Sequence, residues 1–169
     1  MDSKRRLALM IDADNAQASL LPQILAEVNK YGVTVIRRVY GDWTTTQLKG
    51  WKELLHSHAL QPMQQFSFTA GKNATDCSLI IDAMDIIYSA DVDGICIVSS
   101  DSDYTRLATR IRESNLFVMG IGRKATSPAF VNACDVFAYT EKLCLTSKSN
   151  GIKPTASKSK AKPTATKAP

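Results

Sequence analysis

Short apolar runs and amphipathic stretches alternate along the chain from residue 6 to about residue 140. Apolar runs bounded by turn residues are typical of strands that are covered on both faces, as in a parallel sheet. The runs predict strands at residues 6–11, 33–40, 60–66, 94–99 and 116–121, and the amphipathic stretches predict helices that begin near residues 18, 45, 76, 103 and 128. This alternation predicts a single α/β domain in which helices cover both faces of a mainly parallel sheet.

Carboxylates directly follow two of these predicted strands. The first strand is followed by Asp12, Asp14 and Asn15, and the fourth by Asp101 and Asp103. Open α/β sheets bind ligands in the crevice outside the carboxyl ends of their strands. Carboxylates that meet there repel one another, and a cation is the usual reason that such a cluster persists. The pattern therefore predicts a cation site.

Length and composition fit one domain with a sizeable core. The chain has 169 residues, of which 44% are hydrophobic. No apolar run approaches the roughly 20 residues of a membrane-spanning helix, so we expect a cytoplasmic protein. The cysteines lack C-x-x-C spacing and we interpret their surroundings as apolar, which predicts buried free thiols rather than disulfides or a zinc site. They are Cys77, Cys96, Cys134 and Cys144.

The positive charge of the chain is concentrated at its end. The formal net charge is +5, and six lysines lie between Lys148 and Pro169, so the remainder carries a net charge of about −1. Residues 145–169 are mainly Lys, Ser, Thr, Ala and Pro, a composition that predicts a disordered tail after a domain at residues 1–144. The lysines either add affinity for phosphates or only aid solubility.

Four segments, in matching order, resemble the NYN domain, a branch of the PIN-like nuclease superfamily, and are most similar to its bacterial LabA-like members. They are Ile11–Asn15, Gly71–Asp76, Ile81–Asp85 and Val98–Tyr104, and Asn132–Phe137 resembles the end of that domain. The resemblance covers about residues 5–140. It implies a three-layer α/β/α domain with strand order 3-2-1-4-5. It also implies an endoribonuclease that uses Mg²⁺ or Mn²⁺, with single-stranded RNA as substrate and a homodimer as a plausible assembly.

The resemblance further implies which residues act. The metal-binding and catalytic carboxylates correspond to Asp12, Asp76, Asp101 and Asp103, with Asn15 nearby. Candidate substrate contacts lie on the same rim or in the loop before Asp76. They are Asn15, Lys72, Ser100, Arg123 and Lys124.

Several of these residues also have structural interpretations. Asp103 could open the fourth helix, and Asp76 could lie in the first turn of the third helix after a Thr75 cap, because carboxylates favour helix N-termini. Asp14 could start a turn. Asp82 lies six residues beyond Asp76, roughly 240° around a helix, and we interpret it as structural.

Aromatic and histidine side chains offer weaker candidates. Trp43 follows the second strand and either stacks on a base or packs under the second helix. His56 and His58 lie at a helix end, away from the acidic motifs, which favours surface or packing roles over a general base.

Two other functions are compatible with parts of the pattern. Asp12-Ala13-Asp14 resembles the first motif of haloacid-dehalogenase-type phosphatases, with Asp12 as nucleophile, Asp14 as general acid and Ser99 in the second motif. The lysine and terminal acidic pair of that family are missing in the required order. The second alternative is a non-catalytic RNA-binding or regulatory module.

Overall fold

The computed structural model describes residues 4–68 and 74–149. Strands and helices alternate through this part of the chain. The strands are β1 (Arg5–Asp12), β2 (Gly32–Gly41), β3 (Gln61–Gln64), β4 (Gly94–Val98), β5 (Phe117–Gly122) and β6 (Val136–Tyr139). The helices are α1 (Leu21–Val28), α2 (Lys49–Ser57), α3 (Ala74–Ser89), α4 (Thr105–Glu113), α5 (Pro128–Ala133) and α6 (Thr140–Ser149).

All strands pair in parallel in one sheet of order β3-β2-β1-β4-β5-β6. The predicted α/β fold and the order 3-2-1-4-5 are confirmed, and β6 extends the sheet by one strand that the sequence pattern did not identify. β1 and β4 are neighbours, with Ile11 beside Val98 at their carboxyl ends. The chain reverses its direction of travel across the sheet between these two strands, which is where open α/β sheets bind ligands.

Alternate residues of β1 face two separate apolar cores. Leu7, Leu9 and Ile11 pack with residues of α1, α2 and α6 on one face of the sheet. Ala8 and Met10 pack with residues of α3, α4 and α5 on the other face. All five side chains have no exposed surface, so β1 is the centre of a three-layer domain.

Asp82 joins α3 to β2. Its Oδ2 accepts hydrogen bonds from Arg38 Nη1 at 2.7 Å and from the Tyr40 hydroxyl at 2.5 Å. The structural interpretation of Asp82 therefore agrees with its contacts. Because these two bonds hold α3 against β2, they also help to set the position of the first turn of α3 relative to the carboxyl edge of the sheet.

The helix starts differ in detail from the sequence-based expectation. The helices α1, α2 and α4 are each preceded by a short 3₁₀ turn, so α2 begins at Lys49 rather than Thr45. Thr75 lies inside α3 and is not its cap; its hydroxyl donates to Asp14 Oδ2 at 2.9 Å. α6 continues to Ser149, beyond the predicted boundary at residue 144, and the rest of the proposed tail lies outside the described residues.

The cysteines are free thiols, as expected, but only two of them are buried. Cys96 and Cys134 lie in the core, Cys144 is half-buried and Cys77 is exposed. Cys77 faces outward because the neighbouring residue of α3, Asp76, turns towards the sheet. Among the described residues, no helix is long and apolar enough to cross a membrane.

Gly94 at the start of β4 is expected to be indispensable for the pairing of the central strands. A β-carbon at this position would lie 2.5 Å from the carbonyl oxygen of Phe117 on β5 and 3.0 Å from Leu7 Cδ2 on β1. We expect Gly94→Ala to lower the free energy of unfolding by about 1–3 kcal/mol, the usual cost of overpacking.

Gly50 provides the matched control. It lies in α2, is exposed, and a β-carbon there would meet only Ala18 Cβ at 3.7 Å. Gly50→Ala should raise the free energy of unfolding by about 0.5–1 kcal/mol, because alanine favours the helix. Urea denaturation of both variants checks the pair, and equal effects of the two substitutions would contradict the close-packing explanation for Gly94.

Candidate metal centre

Asp12 ends β1 with a carboxylate that has no exposed surface. Its Oδ1 accepts a hydrogen bond from the Asp14 backbone N–H at 3.1 Å. Its Oδ2 accepts from Asn15 Nδ2 at 2.8 Å, from Ser99 Oγ at 3.0 Å and from the Tyr104 hydroxyl at 3.3 Å. The carboxylate thus connects the end of β1 to the segments that follow β1 and β4.

Tyr104 connects Asp12 to the second acidic position. The same hydroxyl donates to Asp76 Oδ1 at 2.9 Å, and the tyrosine ring is fully buried against Phe130 and its neighbours in the core. Asp76 lies in the first turn of α3 and is only 6% exposed. A rigid aromatic side chain therefore sets the separation of two buried carboxylates.

Asp76, Asp101 and Asp103 converge in front of this buried pair. One carboxylate oxygen from each residue can be chosen so that all three lie within 4.8 Å of one another. Asp76 is buried, Asp101 is half-buried and Asp103 is exposed, so the cluster opens to solvent. Asp12 is not in this close group. The Tyr104 hydroxyl, which contacts both carboxylates, links Asp12 to Asp76.

The segment after β4 is shaped by its own side chains. Asp101 caps the 3₁₀ turn Ser102–Tyr104 by accepting the Asp103 N–H at 2.9 Å. The Asp101 N–H in turn donates to Ser99 Oγ at 3.1 Å. This tight turn brings Asp101 and Asp103 to the same edge of the sheet. The cap is Asp101, not Asp103, which lies within the turn before α4, and for Asp101 a capping role and a ligand role are compatible.

Burial and mutual repulsion raise the pKa values of two carboxylates in the centre. Desolvation is the largest cause that raises the pKa of Asp76, to about 6; the Tyr104 hydrogen bond opposes the rise, and the charges of Asp12 and Asp101 add to it. Desolvation also raises the pKa of Asp12, against the hydrogen bonds from Asn15 and Ser99. The centre therefore carries negative charge that the surrounding protein does not fully stabilise, and a cation would stabilise it.

A cavity of about 230 Å³, lined in part by Asp14, lies at the carboxyl ends of β1, β4 and β5. Three predicted substrate-contact residues line it, namely Asn15, Ser100 and Arg123. Gln17 and Thr140, which the sequence did not single out, also line it. The structure thus brings polar side chains from three strand ends into one cleft at the carboxyl edge of the sheet, and Asn15 connects this cleft to Asp12.

The loop after β5 is fixed by its backbone and leaves its cationic side chains exposed. The Arg123 N–H donates to Ser100 Oγ at 2.9 Å, and the Lys124 N–H donates to the Glu141 carboxylate at 3.0 Å. Both side chains are exposed on the rim, where they can reach an anionic ligand. Lys72, the remaining predicted contact, lies outside the described residues.

Other sequence candidates have structural partners elsewhere. Trp43 packs against the apolar core and its indole N–H donates to the Met63 carbonyl at 3.1 Å, which favours the packing interpretation. His56 is exposed, and His58 Nδ1 lies 3.3 Å from the Leu54 carbonyl within the same helix end. Neither histidine belongs to the acidic cluster.

Sequence reasoning gave no role to Tyr104, and it considered Ser99 only for the phosphatase alternative. One signal could have indicated Ser99: it is a polar residue that directly continues the fully buried run of β4. Tyr104 gave no such signal, because a tyrosine one residue before a helix is also typical of ordinary core packing. Its hydroxyl contacts follow only from the tertiary arrangement of β1, α3 and α4.

Comparison with known proteins agrees with the fold. A solved structure of a protein of unknown function, VPA0982 from Vibrio parahaemolyticus RIMD 2210633, superposes with a TM-score of 0.68 at 21% sequence identity. The match covers 82% of this chain and 94% of that chain. At this identity the likeness shows a shared fold alone. No curated protein gives a significant match.

The family assignment comes from the sequence of the domain itself. Residues 6–144 match the family model of the NYN domain, a span that includes every strand from β2 to β6, nearly all of β1, and all the acidic residues of the centre. The resemblance carried by the four acidic segments is thereby confirmed at the level of the domain family. The chain belongs to the NYN domain family, within the PIN-like nuclease superfamily.

Proposed function

We propose that this protein is a metal-dependent endoribonuclease that hydrolyses phosphodiester bonds of RNA with Mg²⁺ or Mn²⁺. The main support is the convergence of three carboxylates within 4.8 Å in a chain of the NYN family, at the sheet edge that also carries the cavity lined by Asn15, Ser100 and Arg123. Carboxylate oxygens suit these hard cations, and nitrogen or sulfur ligands are not among the clustered side chains of the described residues.

Asp76, Asp101 and Asp103 would hold the ion. Asp12 would join them through Oδ1, which accepts one hydrogen bond among the described residues and so retains acceptor capacity. When bound, such an ion would supply a nucleophilic water at neutral pH and would stabilise the charge that develops on the phosphate. Tyr104 keeps Asp76 in place by donating to it, and Ser99 orients Asp12 in the same way.

The cavity beside the centre would receive the substrate. Arg123 on its rim offers a guanidinium group to a phosphate, and Lys124 adds a second cation. Asn15 is oriented by its bond to Asp12, so it stands between the acidic centre and the cavity. This division separates residues that hold the ion from residues that hold the nucleic acid.

The phosphatase alternative is poorly supported by the geometry. It requires Asp12 to attack a phosphorus atom, and a phosphate group is too large to reach Oδ1 of a carboxylate that has no exposed surface, whereas this oxygen keeps acceptor capacity for a single ion. The non-catalytic alternative predicts a different response to a chelator. A binding module would bind RNA without cleaving it, and a chelator would not change that binding.

Asp101→Asn is expected to abolish cleavage while the fold is retained. Asparagine still caps the 3₁₀ turn that Asp101 begins, but it removes one charged ligand. We expect the cleavage rate of a labelled single-stranded RNA to fall at least about 100-fold in Mg²⁺ or Mn²⁺. Loss of a residue that only orients a metal ligand already costs about 10- to 100-fold, and Asp101 is proposed as a ligand itself. The control is Asp85→Asn, an exposed carboxylate of α3 outside the cluster.

Either of two results would contradict this expectation. A wild-type rate in Asp101→Asn would remove the centre from the reaction. Absence of cleavage by the wild-type protein with both metals, across several RNAs, would favour the binding module.

The metal-free protein should lose stability as pH rises from 3.8 to about 6, through the contribution of Asp76. The unfolded chain ionises this group near its ordinary pKa of 3.8, while the folded protein holds the proton up to about 6. Folding therefore becomes less favourable across this window and stays so above it. Because other carboxylates titrate too, the relevant quantity is the difference in unfolding free energy between wild type and Asp76→Asn.

That difference should grow in favour of Asp76→Asn as pH rises and then level off above pH 6. Chemical denaturation in the presence of a chelator measures it, with Asp85→Asn as the control for an ordinary carboxylate. Addition of Mn²⁺ should reverse the order at neutral pH, because the ion stabilises the folded wild type. A pH-independent difference would show that Asp76 is not held protonated by its surroundings.

Arg123→Gln is expected to weaken RNA binding in a salt-dependent manner. Its backbone N–H anchors the loop and is unaffected, so the change removes only the exposed charge. The slope of log affinity against log salt should fall by about one unit, as for one phosphate contact. Lys52→Gln, on the exposed surface of α2, makes the same change of charge and should leave the slope unaltered. Equal slopes for Arg123→Gln and wild type would exclude Arg123 from the path of the RNA.

A further inference from the structure

Two phenylalanines stand exposed in the segment that follows β3. Phe66 is 50% exposed and Phe68 is 88% exposed, the highest exposure among the large apolar side chains described. Their ring centroids are 6.1 Å apart with an angle of 46° between the planes. Single exposed apolar residues are common, but two adjacent rings held out of the core at a functional edge need a specific explanation.

The segment that carries the rings is anchored at the carboxyl edge of the sheet. The Gln65 N–H donates to the Gly41 carbonyl at 3.1 Å and so continues the pairing beyond the end of β3. Asp42 accepts hydrogen bonds from Thr44 Oγ1 at 2.6 Å, Gln64 Nε2 at 3.0 Å and the Ser67 N–H at 3.4 Å. The backbone between the two rings is therefore tied to the end of β2.

This edge is the one that carries the acidic centre. β3 lies two strands away from β1 in the sheet. With a spacing of about 4.8 Å between strands, the carboxyl end of β3 lies roughly 10 Å to the side of the end of β1. A strand of RNA that crosses the acidic centre along this edge would reach the two rings within a few nucleotides.

From this placement, and resting on the proposed function, we propose that Phe66 and Phe68 form a stacking platform for unpaired bases of the RNA next to the cleavage site. Aromatic faces accept any base, so the platform adds affinity without sequence preference. Bases inside a duplex cover each other's faces, and only single-stranded RNA can use such a surface. The platform therefore makes a single-stranded region the substrate.

A second copy of the chain is a weaker fit to the same surface. A stable interface buries about 800 Å² per partner, whereas two phenylalanine rings contribute at most about 250 Å² each. Polar residues neighbour the rings in the sequence, with Gln65 before Phe66 and Ser67 between the pair. The exposed apolar area is thus too small and too interrupted for a dimer and is well matched to one or two bases.

The test measures RNA binding apart from cleavage. Binding of a fluorescently labelled single-stranded RNA to the full chain is measured in the presence of a chelator for Phe68→Ala, Phe68→Leu and Phe68→Tyr. We expect the first two changes to weaken affinity about 5- to 150-fold, the range for loss of one base–aromatic stack, and Phe68→Tyr to retain it. The double variant Phe66→Leu/Phe68→Leu excludes compensation by the neighbouring ring.

Tyr88→Ala is the matched control. Tyr88 is 70% exposed near the last turn of α3. Since a helix rises about 1.5 Å per residue, it lies roughly 18 Å along the axis from Asp76. This change should leave RNA affinity unaltered. A 2-aminopurine base in the RNA adds a direct signature, because its fluorescence should be quenched by wild type and not by Phe68→Leu.

The outcomes separate this proposal from the proposed function. Cleavage of RNA by wild type, with affinity and quenching unchanged in the double leucine variant, would overturn the platform and leave the nuclease intact. Affinity that depends on the rings in a protein that never cleaves would support the platform and overturn the nuclease. Unchanged RNA binding with a shift from dimer to monomer in sedimentation would assign the rings to contact between copies.

Discussion

The buried carboxylate of Asp12 is the contact on which the site depends. An ionised group without exposed surface is costly unless donors surround it, and here they come from the Asp14 backbone, Asn15, Ser99 and Tyr104. These donors belong to the segments after β1 and β4. The requirement to satisfy one carboxylate therefore fixes the relative positions of the segments from which the exposed acidic residues project.

The same arrangement creates an electrostatic cost. Tyr104 bridges Asp12 and Asp76, and the turn after β4 adds Asp101 and Asp103. Desolvation by burial is the largest cause that raises the pKa of Asp76, and the negative charges of Asp12 and Asp101 raise it further. Apolar packing of the two cores around β1 maintains the geometry despite the repulsion. A divalent cation would convert this unfavourable feature into a binding site.

Much of this organisation was predictable from the sequence, because strand periodicity and residue order carry it. Buried runs that end in Asp12 and Asp101 were sufficient to place two acidic segments at one edge of a parallel sheet. Asp76 needed the family resemblance, since a carboxylate in a first helical turn has a local explanation as well. Tyr104, the inward contact of Thr75 and the exposure of Phe68 were not predictable, because each depends on which side of an element meets another element.

The charge distribution explains why such a protein needs contacts other than the ion to hold RNA. Residues before the lysine-bearing end carry a net charge of about −1, and the centre itself is acidic, so the domain has little general attraction for a polyanion. Arg123 and Lys124 add local cations at one side of the centre. Stacking on Phe66 and Phe68 at the other side would add binding free energy that salt does not screen. RNA would then be held on both sides of a centre that by itself repels it.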